Sequence, residues 1–275
     1  MSIAHRSILV DGLATHFLEA GEGDPVVLLH GGEFGVSAEI AWEKLLPALS
    51  QHYRVLAPDM LGFGDLAKVV DFTDGRGMRI RHIARFCAEL GIDSVHFVGN
   101  SMGAINLLVD LTSAAPVLPV RSAVTICGGG DIQKNRHTTA LYEYDASFEA
   151  MRAIVEALFF APAYPTDEAY VRRRYESSIA PGAWESLAAA RFRRPGLDAP
   201  ATPSSKRAYE RIDVPVLVVE GAGDKLLPAG WAAEIAGQIS GGRSAVIDGA
   251  GHCPQIEQPE ATAQVLLEFL AEATD

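Results

Sequence analysis

The residues whose spacing carries the most chemistry are Gly99-Asn100-Ser101-Met102-Gly103. They read G-x-S-x-G between an apolar run, Val95 to Val98, and a helix-like stretch that opens at Met102. In that setting the pattern predicts a sharp strand-to-helix turn that lifts a serine hydroxyl off the end of a sheet. The small residues Gly99 and Gly103 give the turn room. Ser101 is the candidate nucleophile; the competing reading is a serine that caps the helix behind it.

A serine hydroxyl attacks poorly until a base takes its proton and a carboxylate orients the base, and on this kind of turn the chain order is serine, acid, histidine. Gly249-Ala250-Gly251-His252 follows the run Ala245-Val246-Ile247 and precedes the last helix-like stretch, which puts His252 on a loop beyond a strand end. The expected acid is Asp224, on the Gly-rich turn Glu220-Gly221-Ala222-Gly223-Asp224 after the run Val214 to Val219. Asp131, behind Cys127-Gly128-Gly129-Gly130, is the rival acid position, and Asp248 reads as a turn residue.

Attack on a carbonyl produces an oxyanion, which needs backbone N–H donors already in place. Met102 supplies one donor, and the loop His30-Gly31-Gly32-Glu33-Phe34-Gly35 supplies the other through Gly32. This loop has neither G-x-G-x-x-G nor G-K-S/T, so a phosphate cradle is not indicated.

The elements that must hold these residues are legible as apolar runs of strand length at Val26 to Leu29, Val55 to Ala57, Val95 to Val98, Ala123 to Ile126 and Val214 to Val219. Helix-like stretches over 39–50, 77–90, 102–113, 229–240 and 259–273 alternate with them. Continuous apolar strands between helices predict an α/β fold, a mostly parallel sheet covered on both faces. The alternation fails over 131–211, where helical patterns such as Phe148 to Phe160 and Glu168 to Ser178 are cut by Pro162, Pro165, Pro181-Gly182 and Pro195-Gly196. We read 1–130 and 212–275 as one core and 131–211 as a helical insertion.

Composition limits the partners. Of 275 residues 48% are hydrophobic and 21% charged, the balance of a globular chain with a sizeable core. Thirty-five Asp and Glu against 23 Lys and Arg give a net charge of -12, a field that repels nucleic acid and anionic lipid. The insertion differs, with 12 basic and 11 acidic residues. Three scattered cysteines, Cys87, Cys127 and Cys253, form no C-x-x-C pair, which fits a reducing cytoplasm and predicts neither disulfides nor a zinc cage. The start, MSIAHRSILVDG, has no signal-peptide pattern, and no run reaches the ~20 apolar residues of a membrane span. No metal or cofactor is expected: His82 reads as part of a solvated basic helix face with Arg79, Arg81 and Arg85, and His96 as a core histidine. A homo-oligomer is compatible with the sequence.

The chain resembles the α/β-hydrolase superfamily over nearly its whole length, and more closely the meta-cleavage-product hydrolases, which include the 2-hydroxymuconic semialdehyde hydrolases. The resemblance rests on Pro58-Asp59-Met60-Leu61-Gly62-Phe63-Gly64, on the Gly99 to Gly103 turn, and on Arg174-Tyr175-Glu176-Ser177-Ser178-Ile179-Ala180-Pro181-Gly182 with Glu185-Ser186. It implies a lidded serine enzyme that ketonises a dienol and then splits a carbon–carbon bond of a 2-hydroxy-6-oxo-dienoate or related small keto acid. It also implies a carboxylate-binding role for Arg174, whose planar fork suits bidentate capture, and pocket positions at Asn100, Trp42 and Cys253. The chain departs from the family pattern at three points: Glu33-Phe34 replaces Gly-Pro in the oxyanion loop, Ala41 stands where a pocket asparagine is common, and Cys253 where a tryptophan is usual. A carboxylesterase or lactonase with the same triad is the alternative activity. A receptor that binds without turnover would be expected to have lost a triad member, and none is lost. Aspartate would occupy the place of Ser101 in a haloalkane dehalogenase or epoxide hydrolase.

Overall fold

Eight strands form one sheet in the order β1-β2-β4-β3-β5-β6-β7-β8. Their ranges are β1 Ala4–Val10, β2 Leu13–Ala20, β3 Pro25–Leu29, β4 Arg54–Pro58, β5 Val95–Asn100, β6 Val120–Ile126, β7 Val216–Gly221 and β8 Arg243–Ile247. The computed structural model describes residues 3–64, 66–191 and 207–273. From β4 to β8 every pairing is parallel, while β1–β2 and β2–β4 are antiparallel. The mostly parallel α/β sheet expected from the apolar runs is the one observed.

The sequence reading missed the β1–β2 hairpin. Asp11 and Gly12 both adopt positive φ at its turn, as a tight two-residue Asp-Gly hairpin requires. That dipeptide between apolar residues was the available signal.

Both faces of the sheet are covered. Along β7, Leu217 and Val219 join the larger core with Trp42, Leu45, Phe86 and Leu266. Val216 and Val218 point the other way, into a second cluster with Leu108, Trp231 and Ile235. The period of two that sends alternate side chains to opposite faces explains why a parallel strand reads as one continuous apolar run. The helices flanking the sheet are α1 Ala38–Trp42, α2 Leu46–Leu49, α3 Gly75–Glu89 and α4 Met102–Leu111. The predicted helix over 39–50 is thus two short ones; Pro47 sits in the first turn of α2, where its missing N–H costs nothing.

Between β6 and β7 the chain forms α5 Arg136–Tyr142, α6 Phe148–Leu158, α7 Ala163–Thr166, α8 Glu168–Ser178 and α9 Ala183–Ala188. Ser147 caps α6 and Asp167 caps α8 through their side chains, which is why these helices begin where the sequence placed them. Residues 192–206, with Pro195-Gly196, lie outside the described residues. After β7 come α10 Trp231–Ala236, α11 Pro254–Glu257 and α12 Pro259–Glu272. A third apolar cluster joins this helical segment to the ends of the strands: Phe34, Tyr144, Met151, Leu158, Phe159, Cys253 and Ile256. No helix among the described residues is long and apolar enough to cross a membrane.

Two surface expectations are corrected. His82 is buried, not solvated, and hydrogen bonds to Thr15 at 3.1 Å, because α3 packs that face against the hairpin. Arg79 lies half-buried over the Phe63 ring and donates to the Leu61 carbonyl, whereas Arg81 and Arg85 are exposed. His96 is a buried histidine on β5, 2.7 Å from Ser122 Oγ.

Candidate active site

The chain leaves β5 at Asn100, and Ser101 takes φ +50 and ψ -111 before α4 begins. A non-glycine residue in that region is strained and persists only where its surroundings fix it. Here the Ser101 N–H donates to the Ile126 carbonyl on β6 at 2.8 Å. Any Cβ at Gly99 would meet the backbone of Ala104, and any Cβ at Gly103 the backbone of Leu29. Close packing of strand, turn and helix therefore requires glycine on both sides of the serine.

His252 Nε2 lies 2.9 Å from Ser101 Oγ, and His252 Nδ1 lies 2.8 Å from Asp224 Oδ2. Three loops, beyond the ends of β5, β7 and β8, converge to make this chain of hydrogen bonds. Asp224 is fixed independently, accepting from the Leu226 N–H at 2.8 Å. Burial disfavours a charged imidazole, but the Asp224 carboxylate and its hydrogen bond outweigh burial, and Glu33 adds to them, so the His252 pKa rises above 6.5. Burial likewise works against the Asp224 carboxylate, yet His252 holds its pKa below the ordinary value. The rival Asp131 is exposed, and Asp248 sits exposed on a turn, as expected.

Other anticipated residues are placed as follows. Asn100 Nδ2 donates to the His252 carbonyl at 3.0 Å and the Ile126 carbonyl at 3.3 Å, so its amide nitrogen is committed to holding the histidine loop. Trp42 is corrected from pocket to core: it is fully buried in the larger cluster beside Leu45 and Leu46, because α1 turns it inward. Cys253 is buried at the start of α11 within the apolar cluster around Phe34, and burial pushes its thiol pKa well up. Gly32 packs so closely on Met102 that any side chain there would collide with it, which brings the two expected oxyanion donors onto adjoining segments.

Arg174 is fully buried, and its side chain is an ion pair rather than an open fork. Its Nη2 donates to Glu33 Oε1 at 2.8 Å, with the two side chains 0% and 6% exposed. Nη1 donates to the Tyr170 hydroxyl at 3.3 Å, and Nε has no partner among the described residues. Burial opposes both charges, but Arg174 holds the Glu33 carboxyl below its ordinary pKa. The sequence flagged Glu33 as a departure and Arg174 as a fork; their partnership, across 141 positions, carried no local signal.

Cys127 Sγ, an Asp224 carboxylate oxygen and a His252 ring nitrogen lie within 4.8 Å of one another, a set of ligand types that could hold a metal. Asp224 and His252 are already bonded to each other there, and the thiol is driven towards its neutral form by burial. The arrangement suits proton transfer better than coordination, which needs a thiolate.

A hydrogen-bonded Ser-His-Asp chain at the strand ends of a mostly parallel sheet defines a class, the serine hydrolases built on an α/β sheet. The sequence model of the alpha/beta hydrolase family matches residues 26–265. The chain belongs to that family and, within it, to the meta-cleavage-product hydrolases. It is 32% identical to the 2-hydroxy-6-oxo-6-(2'-aminophenyl)hexa-2,4-dienoic acid hydrolase of Metapseudomonas resinovorans, over 98% of this chain and 92% of the relative. It is 30% identical to a 2-hydroxymuconate semialdehyde hydrolase of Pseudomonas sp., over 98% and 94%. Among solved structures it resembles the meta-cleavage product hydrolase CumD of Pseudomonas fluorescens, with TM-score 0.85, 28% identity and 98% of each chain covered.

Proposed function

We propose that the protein hydrolyses a carbon–carbon bond next to a ketone in a small 2-hydroxy-6-oxo-dienoate or related keto acid, with Ser101, His252 and Asp224 as its triad. The hydrogen-bonded chain from Asp224 to Ser101 carries the reading. The substrate class comes from the relatives at 30–32% identity, named as dienoate or semialdehyde hydrolases.

In this mechanism the dienol first becomes a ketone, so that the carbon about to leave can take the electron pair. His252 removes the Ser101 proton, Oγ adds to the ketone, and the N–H groups of Met102 and Gly32 meet the oxyanion. The carbon–carbon bond breaks as the protonated imidazole returns its proton to the leaving carbon. Water then splits the acyl-serine by the reverse use of the same base. The net change is one water added across one bond, giving a carboxylic acid and a shorter dienoic acid. The helical segment α5 to α9 serves as the lid, since Phe34 and Cys253 beside the triad pack against its apolar faces.

The test is direct: a synthetic 2-hydroxy-6-oxo-6-phenylhexa-2,4-dienoate is supplied in 18O-labelled water. Equal formation of benzoate carrying the label and a five-carbon dienoate supports the proposal, and an intact dienoate after long incubation rejects it. A carboxylesterase or lactonase with the same triad is the second reading. The Glu33–Arg174 pair favours it, because the arginine expected to take a substrate carboxylate is already paired with one.

A further inference from the structure

We propose that Lys225 is a positioning residue that keeps Asp224 in register with His252 by tying the turn of the acid to the end of α6. The inference rests on Ser101, His252 and Asp224 as the reacting centre and addresses what holds that centre together, not which bond breaks.

A helix ends with four carbonyls that have no partner within it. In α6 the Phe159 N–H is the last to bond back, to Val155, which leaves the carbonyls of Glu156, Ala157, Leu158 and Phe159. Three of these four go to the loops that carry the proposed acid and base. Lys225 Nζ donates to Glu156 at 2.8 Å and to Phe159 at 2.7 Å, and the Leu158 carbonyl accepts from the base loop. An ammonium group there also meets the negative end of the helix dipole.

Lys225 follows Asp224 directly, and its own carbonyl accepts at 2.8 Å from Nδ2 of Asn135, the residue that caps α5. The carbonyl of Leu226, whose N–H holds Asp224 Oδ1, accepts from the Gln133 N–H at 3.0 Å. The turn is therefore tied to the helical segment through two backbone carbonyls and one charged side chain. Glycine lets α6 come this close: a Cβ at Gly223 would strike the Phe160 ring, and one at Gly251 the Leu158 carbonyl. With its ammonium group committed to two carbonyls, Lys225 acts through Asp224 rather than on the substrate.

The test is steady-state turnover of 4-nitrophenyl butyrate across pH. Lys225→Met should lower kcat about tenfold with KM within about threefold, and Lys225→Arg, which still donates to carbonyls, should recover most of the loss. The limb of kcat/KM that falls in acid should move to lower pH in Lys225→Met. His252 faces Asp224 and Glu33, with Cys127 Sγ within 4.8 Å of its ring nitrogen, and Asp224 gives the imidazolium its largest support, so a slackened Asp224 lowers the imidazole pKa. Loss of a nearby cation by itself would raise that pKa, so a purely electrostatic role moves the limb the opposite way. A lower melting temperature with kcat and the limb unchanged would mark Lys225 as a structural tether and overturn the proposal, as would an equal loss in Lys225→Arg. If Lys225→Met fails to fold, Lys225→Gln, a milder change, is held to the same outcomes. Ester turnover that survives Ser101→Ala would reject the triad itself, and absence of dienoate cleavage would reject the proposed reaction while leaving the ester readouts intact.

Discussion

The backbone N–H of His252 donates to the carbonyl of Leu158 at 2.7 Å. The proposed base, at the far end of the core, is thus held by the last turn of α6 in the helical segment. Glu257 strengthens the connection: its carboxylate accepts from Gly251 at 2.6 Å, from Ala161 at 2.8 Å and from Phe160 at 3.2 Å. A lid is often treated as separable from the machinery beneath it, but here the same segment anchors the histidine.

Excising residues 134–208 behind a short linker should therefore abolish turnover even of a small nitrophenyl ester, and not merely alter specificity. Circular dichroism of the shortened chain would establish whether the sheet still folds. A folded, fully active core would show that the contact with Leu158 is dispensable.

Glu257→Ala should lower kcat by roughly tenfold while leaving KM within about threefold, as expected for a group that positions the base and does not touch substrate. Steady-state kinetics on one ester suffice. A large KM effect with unchanged kcat would place Glu257 in substrate binding instead.

Ser101→Ala and His252→Ala should each reduce kcat by roughly a thousandfold or more, because the members of a triad act as a unit. Asp224→Asn should lose most activity through the wrong histidine tautomer, and Asp131→Asn should keep it. Full activity in Asp224→Asn together with loss in Asp131→Asn would move the acid to the exposed rival.

The base must be neutral to accept the serine proton, so kcat/KM should fall as pH drops through the His252 pKa, which lies above 6.5. Glu33→Gln removes one carboxylate that favours the imidazolium, so this limb should move to lower pH. Stability follows its own signs. Glu33 and Asp224, depressed in the folded chain, contribute above their unfolded values near 4.5 and 3.8, and that contribution is lost as pH falls through the lower folded values. The His252 contribution is complete below 6.5 and lost as pH rises through its raised value. Rate profiles and urea titrations across pH 3 to 9 would check both.

Breaking one side of the buried ion pair should cost about 3 to 5 kcal/mol, since the other charge is left without a partner. Arg174→Met and Glu33→Gln should each lower the urea midpoint, and the double variant should lose much less than the two together. Strict additivity would mean that the two side chains do not share their energy in solution.

The strands beside the site and the nucleophile turn were legible because their signals are local: apolar runs, a G-x-S-x-G turn, a histidine behind the last strand. Helices α6 and α8 were legible from their helical patterns, and the structure adds the Ser147 and Asp167 side-chain caps that fix their starts. What escaped was non-local or decided by packing. His82 reads as a polar helix residue until α3 is laid on the hairpin, and Trp42 reads as a pocket residue until α1 turns it into the core. Glu33 and Arg174 each suggested a role alone, and their meeting cancelled the simpler one.

The backbone of Ser101 has a consequence for how far this protein can be stabilised. Ser101→Ala removes the hydroxyl but keeps a side chain at φ +50, whereas Ser101→Gly removes the steric conflict as well. Relief of about 1 to 3 kcal/mol of strain exceeds the ~0.4 to 1 kcal/mol that glycine costs through the freer unfolded chain. Of two equally dead variants, the glycine form should melt higher, and the gap measures the stability set aside to keep the nucleophile raised. A search for thermostable variants that ignored turnover would be drawn to this position and return a scaffold without its nucleophile.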